Sequence, residues 1–271
     1  MDSLNRLLIE PTELQDQLDR DDLLVVDLCR PEVYMRSHIP SAVHLEYSQI
    51  VAPQPPAMGM LPNAEQLAAA LGALGLTPDT HVVAYDDEGG GLASRLLWTL
   101  DVVGHTHASL LDGGLHAWAA EHRPLSSESV NRKQTKYAVT LNEGPVANKD
   151  YVLARLEDPD VVLLDTRSPA EYNGSSQRAA RGGHIPGAIN FDWVNAIDQS
   201  RSLRLKPQPA LRAALTSLGV VPDKEVITYC QTHHRSAHTY MVLKTLGYPR
   251  IKGYPGSWSE WGNRTDTPVS G

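Results

Sequence analysis

The chain has 271 residues, a formal net charge of −8 and a hydrophobic fraction of 41%. This length allows one large domain or two of ordinary size, and the acidic balance argues against nucleic acid or a membrane surface as a partner, because both require a basic face. No apolar run approaches the roughly 20 residues that cross a bilayer, the start has no basic region followed by an apolar segment, and there are only two cysteines, so we expect a cytoplasmic protein without a disulfide framework.

The first half of the chain alternates helices and strands. A short amphipathic helix is predicted at about 12–19 and an apolar strand at 23–27. Leucines at helical spacing over 67–74 predict a second helix, and Gly75 suits the position just after its end. The near-continuous apolar run 81–85 indicates a strand buried on both faces, as in a parallel sheet. This alternation predicts an α/β layered domain.

The second half repeats the first. The matched segments are 23–34 with 161–172 at an offset of 138, 38–42 with 184–188, 67–85 with 211–229 at an offset of 144, and 113–118 with 256–261. Constant offsets across so many positions indicate a duplicated unit of about 125 residues, an ordinary domain size. We therefore predict an N-terminal domain at 1–125, a polar linker at 126–144 and a C-terminal domain at 145–271.

A lone cysteine lies between a strand and a helix of the second domain. Cys230 directly follows the predicted strand 225–229, and a helix is predicted at 236–247. Ligand crevices form at the carboxyl ends of parallel strands, and the unpaired N–H groups at the start of a helix favour an anion. We therefore expect a thiol with a lowered pKa, assisted by the charge of Arg235 and by the hydrogen-bond donors of the adjacent histidine pair.

Three chemistries compete for this loop. Zinc binding by Cys230, His234 and His238 is the first, but the helix is predicted to start between the two histidines and no second ligand pair is evident. Phosphate-ester hydrolysis through a cysteinyl-phosphate is the second, with an arsenate enzyme as a related rival. Phosphate-ester enzymes of this kind have about five residues between cysteine and arginine, whereas four residues separate Cys230 from Arg235. Sulfur transfer through a persulfide is the third, and it suits the smaller loop. We expect no metal and no other cofactor.

The first half supplies an internal control. Asp86 stands at the position that matches Cys230, in the acidic stretch 86–91. An aspartate cannot form a thiolate, so we expect the first domain to keep the fold and to lack the chemistry. Cys29 has no basic cluster nearby except Arg30, and we expect it to be structural.

Together these motifs resemble the tandem-domain rhodaneses, which are thiosulfate sulfurtransferases. The duplicated DxxxPxxY segment, HIPGA, CxxxxRS at 230–236 and the closing GSWSEWGN carry the resemblance, which covers essentially the whole chain. The loop CQTHHRS is most similar to a bacterial branch of the family. The resemblance implies two rhodanese-like α/β domains, each with a mainly parallel central sheet flanked by helices.

The resemblance also implies the roles of the loop residues. Cys230 would be the nucleophile that takes the outer sulfur of thiosulfate as a persulfide. The residues expected to cradle the persulfide or to face the anionic donor are Gln231, Thr232, His233, His234 and Arg235. Cyanide, glutathione or a thioredoxin-like thiol would accept the sulfur. A duplicated chain supplies its own pseudo-dimer, so we expect a monomer.

Two anion contacts of the family are missing. Well-known eukaryotic members carry a substrate-binding arginine where this chain has Glu171, and a lysine where it has Thr232. Arg167 is a candidate to compensate and Trp193 is a candidate pocket residue, with a solvated or core arginine and a core aromatic as the alternatives. Thiosulfate would then be a test substrate rather than the physiological donor. A persulfide carrier that delivers sulfur to a protein partner stays open as the alternative function.

Overall fold

The computed structural model describes residues 6–271, so residues 1–5, part of the start considered above for a signal peptide, lie outside the described residues. The strands are β1 (Leu8–Ile9), β2 (Leu23–Asp27), β3 (Val43–His44), β4 (His81–Tyr85), β5 (Ala108–Leu111), β6 (Val161–Asp165), β7 (Ile189–Asn190), β8 (Ile197–Asp198), β9 (Arg204–Leu205), β10 (Glu225–Tyr229) and β11 (Ile251–Gly253). The α-helices are α1 (Pro11–Gln15), α2 (Pro31–Arg36), α3 (Ala64–Ala73), α4 (Gly91–Val102), α5 (Gly114–Ala120), α6 (Lys149–Leu153), α7 (Pro169–Tyr172), α8 (Gln208–Ser217), α9 (Arg235–Thr245) and α10 (Ser257–Trp261). Short 3-10 helices span Tyr47–Ile50, Trp193–Ala196 and Gln199–Arg201.

The chain divides into two units, and neither is continuous in sequence. Unit 1 contains the described residues up to Ile50 together with Pro62–Asn142 and Ile197–Leu205. Unit 2 consists of Val51–Leu61, Glu143–Ala196 and Lys206–Gly271. Each unit therefore includes one short segment from the opposite repeat. The boundaries predicted at 125 and 145 follow the repeat in the sequence and stay a prediction.

Unit 1 is built on a parallel sheet of five strands in the order β1-β5-β4-β2-β3. Every residue of β2 and β4 is buried, which explains why both strands are continuous apolar runs instead of alternating ones. Trp98 and Trp118 are fully buried beside this sheet's other large apolar side chains. The antiparallel pair β8–β9 also belongs to this unit.

Unit 2 is built on a parallel sheet of four strands in the order β11-β10-β6-β7. Val146 adds a parallel bridge to Gly253 at the β11 edge. Within the sheet β10 lies between β6 and β11, and Tyr229 at its carboxyl end pairs in register with Asp165. The chain therefore passes from β10, a central strand, directly into the loop that precedes α9.

The strands that the sequence predicts are confirmed, and two helices are shorter than predicted. The predicted strands at 23–27, 81–85, 161–165 and 225–229 have these bounds in the structure. In contrast, α1 and α6, predicted at about 12–19 and in the matching repeat at about 150–157, end early. Their next N–H groups donate three residues back, as Gln17 does to Leu14 and Arg155 to Val152, both at 3.0 Å. Gly75 has the positive φ of 79° that its predicted place after α3 requires. Within residues 6–271 no helix is both long and apolar enough to cross a bilayer.

The aspartates that end β2 and β6 each hold the loop that follows the strand. The Asp27 carboxylate accepts the N–H of Cys29 at 2.6 Å and the hydroxyl of Tyr85 at 2.5 Å. Asp165 accepts the N–H of Arg167 at 3.0 Å in the same way. Because both repeats share this bond, including the one without the cysteine loop, these aspartates stabilise the fold.

Candidate active site

Cys230 lies at the carboxyl end of β10, and α9 begins at Arg235 after a short loop. Its side chain is fully buried, with 0% exposure. The loop reverses the chain because His233 has a positive φ of 56°, a region that histidine adopts more readily than most residues other than glycine. Gly89 takes the matching position of the first repeat with a φ of 92°. The bend is therefore a shared property of both repeats.

The carbonyl groups of this loop point away from the sulfur. The carbonyls of Cys230 and Gln231 accept the N–H groups of Trp258 and Ser259, both at 2.9 Å, at the start of α10. The Cys230 N–H donates to the hydroxyl of Ser257 at 3.3 Å. In a trans peptide the C=O and the N–H point in opposite directions. Fixing these carbonyls outward therefore turns the next N–H groups toward the sulfur.

Several donors converge on the Cys230 sulfur. The Ser236 hydroxyl donates to Sγ at 3.4 Å, and its oxygen lies 2.7 Å from Nδ1 of His233. Burial opposes ionisation of the thiol, but the Arg235 charge, the Ser236 hydroxyl and the N–H groups of Ser236 and Thr232 together lower the pKa of Cys230 below its ordinary value. The cysteine is thus enclosed by polar donors, which favour its thiolate more than the surroundings of an ordinary cysteine do.

Ser236 is a contact of the Cys230 sulfur that the sequence reasoning missed. It ends the CxxxxRS motif, and no role was assigned to it there. Its place in the first turn of α9 brings its hydroxyl back to the cysteine at the start of the loop. The signal that could have found it is the hydroxyl residue directly after the arginine, at the amino end of a predicted helix.

Arg235 forms an ion pair with Glu171. Its two terminal nitrogens donate to the Glu171 carboxylate at 2.6 and 2.9 Å, and Arg178 lies 3.6 Å from the same carboxylate. Glu171 is only 3% exposed, and although burial raises its pKa, the bonds from Arg235 and Ser168 outweigh burial and lower the pKa to about 2. The positive charge predicted to face an anionic donor is therefore largely compensated by a neighbouring carboxylate.

Two further residues predicted for the site, Gln231 and Trp193, lie in the loop and beside it. Gln231 is half-buried and donates through its amide to the Arg178 carbonyl at 3.1 Å. Trp193 is also half-buried, and its ring centroid lies 6.1 Å from that of His234 and 5.2 Å from that of His238. The structure thus brings Trp193 to the histidines of the loop and of α9.

Arg167 has a different environment. Its guanidinium donates to the Asp165 carboxylate at 2.5 Å and to the Gly183 carbonyl at 2.8 Å. It is 1% exposed and stacks 4.5 Å from the ring of Trp258. An arginine that is buried and paired in this way stabilises the loop after β6, which corresponds to the core alternative considered for it above.

The remaining histidines and carboxylates give no metal cage. Among residues 6–271, no three His, Cys, Asp or Glu side chains are grouped so that they could hold one metal ion. His234 and His238 both lie against Trp193.

In the first repeat an aspartate carboxylate fills the place of the sulfur. Asp86 accepts the N–H groups of Glu88 at 2.9 Å, Gly90 at 2.8 Å and Ala93 at 2.9 Å. The loop amides therefore do converge on a negative charge, as an anion cradle requires. Here that charge belongs to the protein itself, so the cradle of unit 1 is already occupied.

Cys29 is a core residue, as predicted. It is 2% exposed and packs in the apolar cluster of unit 1 with Val25 and Val33. Burial raises the pKa of its thiol, and the Asp27 carboxylate raises it further. It is therefore a neutral thiol, in contrast to Cys230.

The fold and the site define a duplicated α/β protein whose second unit holds a buried cysteine among hydrogen-bond donors. A family model described as a rhodanese-like domain matches residues 10–121 and again 148–264. The chain belongs to the rhodanese family. The predicted family and the predicted fold of two rhodanese-like α/β domains are both confirmed.

Individual relatives match over nearly the whole length. The chain is 50% identical to a thiosulfate sulfurtransferase of Azotobacter vinelandii over 97% of this chain and 96% of that protein. It is 32% identical to the sulfur carrier protein TtuD of Thermus thermophilus, again over 97% and 96%. Among solved structures, a 3-mercaptopyruvate sulfotransferase of Escherichia coli superposes with a TM-score of 0.84 at 27% identity, covering 93% of this chain and 99% of that one.

Proposed function

We propose that this protein is a sulfurtransferase that moves a sulfane sulfur from thiosulfate or a related donor to cyanide or a thiol acceptor. The observation that carries the proposal is the buried Cys230 sulfur, whose pKa is lowered by Arg235, Ser236 and the Thr232 N–H despite burial. The half-identical, full-length relative named thiosulfate sulfurtransferase supports thiosulfate as a donor.

The reaction proceeds by two displacements at sulfur. The Cys230 thiolate attacks the outer sulfur of thiosulfate, the S–S bond of the donor breaks, and sulfite leaves with the electron pair. The product is a persulfide on Cys230. The acceptor then attacks the terminal sulfur, and the electron pair of the breaking bond returns to Cys230 as the thiolate. Such a covalent intermediate divides one difficult transfer into two easier steps.

The loop residues stabilise the charge that appears in each step. The Thr232 N–H and the Ser236 hydroxyl stabilise the thiolate, which is both the attacking and the leaving group. Arg235 supplies positive potential while Glu171 holds its orientation. Gln231, His233, His234 and Trp193 complete the wall around the sulfur. Arg167 acts indirectly, by supporting the loop after β6.

The first repeat is catalytically inactive in this proposal. Asp86 occupies the amide cradle that would otherwise receive a sulfur. The catalytic rhodanese domain is therefore the C-terminal one, predicted at 145–271. The cytoplasmic location and the monomeric state stay predictions that depend on the sequence arguments alone.

A persulfide carrier is the second candidate function. The relative named as a sulfur carrier protein and the complete burial of Cys230 favour it, because a buried sulfur is protected from small thiols until a partner protein reaches it. Both candidates predict a mass increase of one sulfur atom after exposure to the donor. Steady-state thiocyanate formation with cyanide distinguishes them, since a carrier shows the mass increase without sustained turnover.

The Cys230→Ala variant tests the sulfur chemistry directly. It should lose both the mass increase and thiocyanate formation, because no other sulfur occupies the cradle. Cys29→Ala, which removes the core thiol, is the matched control and should keep both. Residual turnover in Cys230→Ala above the rate without enzyme would refute the assignment.

A further inference from the structure

Unit 2 contains a segment that is far from the rest of it in sequence. Val51–Leu61 belongs to this unit, although the next residue of the unit along the chain is Glu143. The segment folds back on itself, with the Ala52 N–H donating to the Met60 carbonyl at 2.8 Å. We call Val51–Leu61 the strap.

The strap contacts the catalytic loop through its backbone. A Cβ atom added to Gly59 would lie 2.2 Å from the carbonyl oxygen of Thr232 and 2.5 Å from that of Pro255. Real Cβ atoms essentially never approach other atoms so closely. Gly59 is buried, and its backbone lies directly against the second residue after the catalytic cysteine.

A second contact connects the strap to the loop through Ser259. The Met58 N–H donates to the Ser259 hydroxyl at 3.0 Å. The Ser259 N–H in turn donates to the Gln231 carbonyl at 2.9 Å. That carbonyl shares a peptide plane with the Thr232 N–H, one of the groups that lower the pKa of Cys230. The strap therefore fixes the orientation of this peptide from the side opposite the sulfur.

We infer that the strap positions the sulfur cradle, and that Gly59 is a positioning residue for the proposed sulfur transfer. The two strap contacts act on consecutive carbonyl groups of the loop. Gly59 lies against the Thr232 carbonyl, and Met58 is connected through Ser259 to the Gln231 carbonyl. A side chain at position 59 would push the Thr232 carbonyl inward and turn the preceding N–H away from the sulfur. This inference rests on the proposed function only for its catalytic consequence, since the ionisation of Cys230 can be measured without turnover.

The test is Gly59→Ala in the full-length protein, compared with Gly72→Ala. Both glycines are free of positive φ and would place a Cβ within 2.5 Å of a carbonyl oxygen, that of Thr135 in the case of Gly72, which lies in unit 1. Iodoacetamide alkylation of Cys230 is followed against pH for each protein, and thiocyanate formation is measured in parallel. Gly59→Ala should raise the alkylation pKa by about one unit, so that the alkylation rate at pH 7 falls roughly tenfold.

Two further comparisons make the outcome decisive. Gly72→Ala should lose thermal stability and keep the alkylation profile of the original protein, because its clash lies in the other unit. Ser259→Ala removes the acceptor of the Met58 N–H and the hydroxyl that donates to the Gly256 carbonyl, and it keeps the Ser259 N–H that donates to Gln231. It should raise the pKa of Cys230 in the same direction by less, and it replaces Gly59→Ala if that variant does not fold. An unchanged alkylation profile in the folded variant would overturn the inference. Absence of turnover in the unmodified protein would instead refute the proposed function.

Discussion

Replacing Glu171 by Gln tests the energetics of the ion pair beside the catalytic loop. Burial raises the pKa of the Glu171 carboxyl, but Arg235 and Ser168 outweigh burial and lower it from 4.5 to about 2. For a side chain that is 3% exposed, this difference corresponds to roughly 3 kcal/mol of unfolding free energy at neutral pH. Because the pKa is lower in the folded state, this stability is present above about pH 4.5 and is lost as the pH falls through about 2.

The assay is urea unfolding of the original protein and of Glu171→Gln between pH 7 and pH 3. The variant should be about 3 kcal/mol less stable at pH 7, and the difference should shrink by more than half near pH 3, where the carboxyl is protonated in the unfolded state and still mostly ionised in the folded state. Glu157→Gln is the control, because it makes the same chemical change at an exposed side chain of the same unit. A difference below about 1 kcal/mol, or one that does not change with pH, would refute the reasoning.

The same variant has a kinetic consequence. With Glu171 neutralised, the charge of Arg235 is no longer compensated, and the potential at the sulfur becomes more positive. The KM for thiosulfate should therefore fall by several-fold, roughly the effect of one additional unpaired charge near an anion. A rise in KM would show that the carboxylate serves the donor through the orientation of Arg235 rather than opposing it through charge.

Two other substitutions test single contacts. Ser236→Ala removes the hydroxyl that donates to the Cys230 sulfur at 3.4 Å, so the iodoacetamide pKa of the cysteine should rise by about one unit, and an unmoved curve would show that the hydroxyl does not stabilise the thiolate. Asp112 is 4% exposed, and burial raises the pKa of its carboxyl from 3.8 to about 6 although the Leu205 N–H donates to it at 2.7 Å. Its protonated form is thus favoured in the folded state, so Asp112 lowers the unfolding free energy as the pH rises from about 4 to about 6. Asp112→Asn should remove this contribution and stabilise the protein by up to roughly 3 kcal/mol at pH 7. Equal differences in thermal stability between the two proteins at pH 4 and at pH 7 would contradict this.

The strands and the position of Cys230 were predictable because their signals are local. Two strands of the repeated unit stand out as apolar runs, and the repeat places each of them twice, which gives the four predicted strands. Cys230 stands directly after such a run and before a helical pattern, which is enough to place it at the carboxyl end of a central strand. Asp86 in the matching place showed by the same logic that this loop of the first repeat has no thiol.

The partners of the loop were not predictable because they come from distant parts of the chain. Glu171 is 64 residues from Arg235, and nothing in either local pattern indicates that the two side chains meet. In the sequence, Gly59 is an ordinary glycine in a proline-rich stretch. Only the close approach of the Thr232 carbonyl in the structure shows why a side chain is excluded at this position. The shortening of α1 and α6 is a similar case, because the choice between bonds three or four residues back depends on packing.

Because each unit includes a segment from the opposite repeat, each depends on parts of the chain that are synthesised at different times. Residues 51–61 leave the ribosome early. They contact the loop at 230–234 and the segment 255–259, which are among the last residues to be synthesised. Likewise, unit 1 is complete only after residues 197–205 have been synthesised. Domains usually fold as units, and the N-terminal domain folds first during synthesis. In this protein the surroundings of the Cys230 loop are complete only when residues 51–61, which are synthesised early, pack against it. A fragment that starts at residue 145 would lack these residues.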